Sequence, residues 1–264
     1  MVARFLVMAF SLMISLSGCT GAPPPSGEHD LFLAREIVVD GATHRYRVFV
    51  PSHRTGTEKP PVILFLHGSG ERGSDGVKPT QSGLGPYVRA HADTFPAIVV
   101  FPQVPENQEW SDNATLAFAA LDAATREFGG DPDRTYLTGL SMGGYGTWEL
   151  ALLQPARFAA LVPICGGITR PRDRPSLEVR TVSGASDPFA ETARRLRDKP
   201  IWIFHGAKDD IVPPDESRHM AAALKSAGAT DARYTEFPDA NHNSWDPAYA
   251  TPELWTWLFA QKRR

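Results

Sequence analysis

Gly139-Leu140-Ser141-Met142-Gly143 decides how this chain is read. Upstream, Arg134-Thr135-Tyr136-Leu137-Thr138 is a β-favouring run that predicts a short buried strand. Downstream, Gly144 to Leu153 predicts a helix. A strand that turns straight into a helix holds the residue at its tip clear of both, where a nucleophile belongs. The flanking glycines fit that geometry, because side chains there would clash as the two backbones approach. G-x-S-x-G alone is a weak signal, since glycine and serine are common residues. The strand and the helix around it give the motif its meaning.

Outward from this turn, apolar runs alternate with helical patterns. Ile37 to Asp40 and His44 to Val50 flank Gly41-Ala42 and predict an antiparallel hairpin. Val62 to Leu66, Ala97 to Phe101, Phe158 to Cys165 and Pro200 to Phe204 are continuous apolar runs, as in parallel strands covered on both faces. Ala232 to Phe237 predicts a last strand. Helices are predicted over Ala114 to Phe128, with Ser111 or Asp112 as N-cap and Gly129-Gly130 as stop, over Asp215 to Ser226, and over Pro252 to Gln261. A hairpin followed by β-α units predicts an α/β fold with a mostly parallel, doubly wound sheet. Residues 168–199 are an irregular excursion with a short helix from Asp187 to Leu196. The excursion either carries substrate contacts or is a solvated loop. Tyr145, Trp148 and Cys165 are expected in the core.

Arg4 and the apolar run Phe5 to Leu16 have the charge order and length of a signal peptide, expected over residues 1–18. The run closes on Leu16-Ser17-Gly18-Cys19, which resembles a bacterial lipobox. That resemblance implies cleavage before Cys19 and lipid attachment to it; a plain secretory signal is the alternative. Thr20 in place of Asp after the cysteine implies sorting to the outer membrane. Thr20 to Asp30 is rich in Pro and Gly, so residues 19–31 are expected to be a disordered tether ahead of a domain at 32–264. The expected location is the bacterial cell envelope, lipid-anchored at the outer membrane or facing the periplasm. A net charge of −3 with no basic tract predicts no nucleic-acid partner. With Cys19 lipidated, Cys165 stands alone and no intramolecular disulfide is expected.

Four stretches together carry a family resemblance: Phe65-Leu-His-Gly-Ser-Gly-Glu-Arg-Gly73, Phe101-Pro-Gln-Val-Pro105 with Trp110, Gly139-Leu-Ser-Met-Gly-Gly144, and His242-Asn-Ser-Trp245. They resemble the α/β-hydrolases, and within them the dienelactone-hydrolase-like carboxylesterases. The narrower resemblance is to the predicted-peptidase or phospholipase/carboxylesterase-like branch. That branch is related to polyhydroxybutyrate depolymerases and to feruloyl and acetylxylan esterases. In this fold the serine is followed along the chain by an acid and then a histidine. His205, His219 and His242 follow Ser141. His205 precedes the expected acid and His219 sits in a predicted amphipathic helix, which leaves His242 as the base. Phe204 to Pro214 is similar to the H-G-x-x-D-x-x-V-P stretch of the superfamily, putting the acid on Asp209, with Asp210 as the alternative.

For the oxyanion, the resemblance implies the backbone N–H groups of Met142 and of Ser69, with Gly70 as the alternative to Ser69. His67 reads as a residue that orders this loop. Glu71, Arg72, Trp110 and Trp245 are implied at the cleft. Arg72 either attracts an anionic group or pairs with Glu71, and the two indoles either stack on a sugar or aromatic acyl group or are ordinary partly buried residues. The implied reaction is serine-dependent hydrolysis of a carboxylic ester through an acyl-enzyme. The implied substrate is a short-chain or aromatic acyl ester, small or polysaccharide-linked. No metal or cofactor is expected, since the remaining histidines show no paired ligand spacing. A serine peptidase of the same fold and a non-catalytic binding module are the competing readings.

Overall fold

The computed structural model describes residues 31–52, 58–171 and 176–263. The expected signal peptide, Cys19 and the tether up to residue 30 lie outside the described residues, as do residues 172–175 of the excursion. The described strands are β1 (Phe32–Val39), β2 (Ala42–Phe49), β3 (Val62–Leu66), β4 (Ile98–Pro102), β5 (Thr135–Leu140), β6 (Ala160–Ile164), β7 (Ile201–Gly206) and β8 (Ala232–Phe237). They form one sheet in the order β1-β2-β4-β3-β5-β6-β7-β8. β1 and β2 pair antiparallel, β2 runs antiparallel to β4, and the remaining pairings are parallel. The hairpin closes on Asp40-Gly41, whose φ values of 50° and 79° match the type I′ turn that suits strand twist.

The helices are α1 (Leu84–Ala90), α2 (Ala114–Phe128), α3 (Met142–Leu153), α4 (Pro188–Leu196), α5 (Asp215–Ser226), α6 (Trp245–Tyr249) and α7 (Pro252–Ala260). They cover the sheet on both sides, which is why the central strands are apolar throughout. Along β3, Val62, Leu64 and Leu66 join one core with α2, α3, α4 and α5. Ile63 and Phe65 point the other way, into a second core with α1, α6 and α7. Tyr145, Trp148 and Cys165 are all buried.

α2 starts differently from the expectation. Its N-cap is Asn113, not Ser111 or Asp112, because Trp110–Asp112 is already coiled into a 3-10 turn. Within that turn the Glu109 and Asp112 side chains close a reciprocal capping box. The Asn113 amide is drawn away to Gln108 Oε1 at 3.0 Å and to Glu109 O at 2.8 Å, so it does not cap its own helix.

Candidate active site

β5 ends at Leu140 and α3 begins at Met142, so Ser141 alone makes the turn between them. Its φ of 53° and ψ of −117° lie where side-chain-bearing residues are rarely found. Close packing holds that strained turn. A Cβ on Gly143 would collide with the Leu66 carbonyl, and one on Gly139 with the backbone of Gly143. The Ser141 N–H donates to Ile164 O at 3.0 Å, tying the turn to the neighbouring strand.

Two loops reach this turn from elsewhere in the chain. His242, beyond β8, places Nε2 2.9 Å from Ser141 Oγ and Nδ1 2.7 Å from Asp209 Oδ2. Asp209 follows β7 and is buried, whereas Asp210 beside it is exposed. Asp209 Oδ1 accepts the N–H groups of Ile211 and Val212, both at 2.9 Å. Burial opposes its ionisation, but hydrogen bonds from His205 and His242, the charge of His242 and the Val212 N–H outweigh it. The carboxyl is held well below its usual range.

His205 escaped the sequence reading. It is fully buried and sets Nε2 3.1 Å from Asp209 Oδ2 and 3.0 Å from Val212 O. An ionised carboxylate and a carbonyl can only accept, so Nε2 carries a proton shared between them. Nδ1 lies 2.7 Å from Ser217 Oγ. The i,i+4 spacing of His205 and Asp209 was the available signal. Chain order removed His205 as a base, but said nothing about it as a partner of the acid.

Met142 opens α3, and Ser69 opens the 3-10 turn Ser69–Glu71, so neither N–H has an acceptor within its own helix. The Ser69 loop is braced by His67. Val104 N–H donates to His67 Nε2 at 3.0 Å, so Nδ1 must carry the proton that it shares with Gly68 O at 2.6 Å. Burial pushes the His67 pKa down from 6.5 to about 4, helped by the Arg72 charge and opposed by the Gly68 carbonyl. Unfolded His67 therefore takes up a proton that the folded ring refuses. Stability from this group is complete above pH 6.5 and is lost as the pH falls toward 4. The loss is roughly 3 kcal/mol. Urea unfolding of the wild type and His67→Gln is expected to show their stability difference shrinking by about that amount between pH 7 and pH 4. A difference independent of pH would refute it.

A cleft of about 280 Å³ opens over Ser141 and His242, bounded by Ser69, Glu71, Ile211 and Trp245. Gly70 also lines it. Of the four side chains expected at the cleft, Glu71 and Trp245 are there, Trp245 half-buried and edge-on to His242 at 5.7 Å. Trp110 is not. It is 1% exposed, and its indole N–H donates to His67 O at 2.9 Å beneath the loop. Arg72 is turned away as well, donating to Gln108 O and to Glu109 Oε1, both at 2.6 Å. Its acidic partner is Glu109 rather than Glu71. A larger hollow of about 730 Å³ between α4 and α5, lined by Phe189, Arg194 and His219, holds none of the Ser141 group.

Cys165 Sγ lies within 4.8 Å of ligand atoms of Asp209 and His242. Burial pushes its thiol far above its usual range.

Residues 171–260, which carry Asp209 and His242, match the prolyl oligopeptidase family. The chain also matches a thermostable esterase of known crystal structure, with a TM-score of 0.74 and 32% identity. That match covers 89% of this chain and 64% of the esterase. The chain has the α/β-hydrolase fold. It is also 27% identical over 244 residues to an uncharacterized secreted protein of Arthroderma benhamiae. Over 177 residues it is 25% identical to a bifunctional acetylxylan esterase/xylanase of Neocallimastix patriciarum. These matches cover 83% and 65% of this chain, but only 25% and 22% of the two relatives' own lengths. The likeness is thus to esterases and to a peptidase family built on this fold.

Proposed function

We propose that this chain is a serine carboxylesterase working through an acyl-enzyme. The observation that carries this reading is the unbroken hydrogen-bonded chain from Ser141 through His242 to Asp209. Ser141 Oγ attacks the ester carbonyl while His242 Nε2 takes its proton. Asp209 holds the Nδ1 proton, favours the imidazolium that forms, and stays ionised throughout. The N–H groups of Met142 and Ser69 receive the developing oxyanion. His242 returns the proton to the departing alcohol, and water then releases the acyl group by the same route.

The cleft of about 280 Å³ suits a short acyl chain, with Trp245 as an apolar wall for an aromatic or sugar group. The acetylxylan esterase relative favours a polysaccharide-linked ester. The secreted relative and the lipobox-like segment favour an envelope location, with the chain tethered through Cys19. Cys19→Ala is expected to move the protein from the membrane fraction to the soluble one; an unchanged membrane fraction refutes the anchor.

The match of residues 171–260 to the prolyl oligopeptidase family favours a second reading, amide hydrolysis by the same groups. Comparing kcat/KM on 4-nitrophenyl acetate, butyrate and octanoate with that on peptide 4-nitroanilides separates the two. The esterase reading expects turnover of acetate and butyrate, a sharp fall at octanoate and no peptide cleavage. Peptide cleavage without ester turnover would move the assignment to a peptidase.

A further inference from the structure

Glu71 stands in the cleft, whereas Arg72, expected beside it, does not. Glu71 lines the same hollow as Ser141 and His242, and no lysine or arginine does so among the described residues. Its position relative to the nucleophile is fixed by Gly68. A Cβ on that glycine would meet Glu71 Oε2 at 3.2 Å and Ser141 Cβ at 3.6 Å, so carboxylate and nucleophile flank one small residue. Arg72 and Lys78, close to it in sequence, are held by other groups, although the Lys78 charge still favours ionised Glu71. Arg72 is paired with Glu109 at 2.6 Å. Lys78 donates to Arg72 O at 3.1 Å and faces Glu106 at 3.8 Å.

We infer that Glu71 is a specificity-determining residue, which makes the cleft reject esters bearing a negative charge close to the scissile bond. The inference rests on the ester-hydrolase reading and adds the substrate class: neutral esters, including those whose hydroxyl groups can donate to the carboxylate. A substrate carboxylate in this cleft meets a like charge across low-dielectric walls with no lysine or arginine among the residues that line it. At the distances set by Gly68 that repulsion, discounted for the open side of the cleft, corresponds to about tenfold or more in kcat/KM.

Two matched pairs test it: 4-nitrophenyl butyrate with mono-4-nitrophenyl succinate, and phenyl acetate with 4-acetoxybenzoate. In each pair one ester is neutral and the other carries a carboxylate, on the acyl or the alcohol side. The wild type is expected to prefer the neutral ester by about tenfold or more in at least one pair, and Glu71→Gln to narrow that gap by about tenfold. The ratio is internal to each enzyme, so a general loss of activity in the variant leaves it readable. A wild-type ratio near one in both pairs overturns the inference without any variant. So does a large ratio that Glu71→Gln leaves unchanged. A wild type inert on both neutral esters overturns the ester-hydrolase reading itself, and this inference with it.

Discussion

Ser141→Ala is expected to lower kcat for 4-nitrophenyl butyrate by about 10⁴- to 10⁶-fold, down to a residual rate carried by binding and the oxyanion donors alone. The size follows from what Oγ does. In the proposed mechanism it is the atom that bonds to the substrate, with His242 Nε2 2.9 Å away to take its proton. The nearby thiol of Cys165 is fully buried and stays protonated. The variant retains a Cβ at a φ of 53°, so the strained turn is kept and folding should be little affected. Circular dichroism and the thermal midpoint are therefore expected to match the wild type. A loss of less than about tenfold in kcat would remove Ser141 as the nucleophile.

Asp209→Asn is expected to cost about 10⁴-fold in kcat, and Asp210→Asn less than about threefold. Asp209 accepts at both oxygens, from Ile211 and Val212 N–H on Oδ1 and from His205 and His242 on Oδ2. An Asn amide carries N–H₂ on one side, and either orientation points it at donors. It therefore opposes the Nδ1–H tautomer that His242 needs in order to take the serine proton. The same mismatch should lower stability by about 3 kcal/mol, because a buried charge-assisted network is broken. A carboxyl held below its usual range stabilises the fold above the ordinary Asp value of 3.8 and loses that contribution as the pH falls below it. Asp210 is exposed and outside the hydrogen-bonded chain. Equal kinetic losses in the two variants would contradict the assignment of the acid.

The sheet could be read from sequence because its central strands are buried on both faces and show as unbroken apolar runs. The hairpin announced itself through Gly41 and the alternation after it. α1 was missed because Gly83, Gly85 and Pro86 surround and interrupt seven residues that only tertiary packing makes helical. The grouping of Ser141, Asp209 and His242 was legible because chain order does the selecting. The site was not legible where function depends on which way a side chain turns. Arg72 has an acid beside it in sequence, yet pairs with Glu109, which a loop brings over from 37 residues away. Trp110 lies in a polar stretch that reads as surface, but Gly146 of α3 leaves room for its ring to sink below the loop. His205 reads as a strand end, and its contact with Asp209 exists only once the loop after β7 folds back.

Activation of Ser141 as a nucleophile by His242 can be read out by incubation with a fluorophosphonate ester, followed by proteolysis and mass spectrometry. The predicted result is a single phosphonyl adduct on Ser141 in the wild type, formed far more slowly in His242→Ala. No adduct, or an adduct on another residue, would contradict the account.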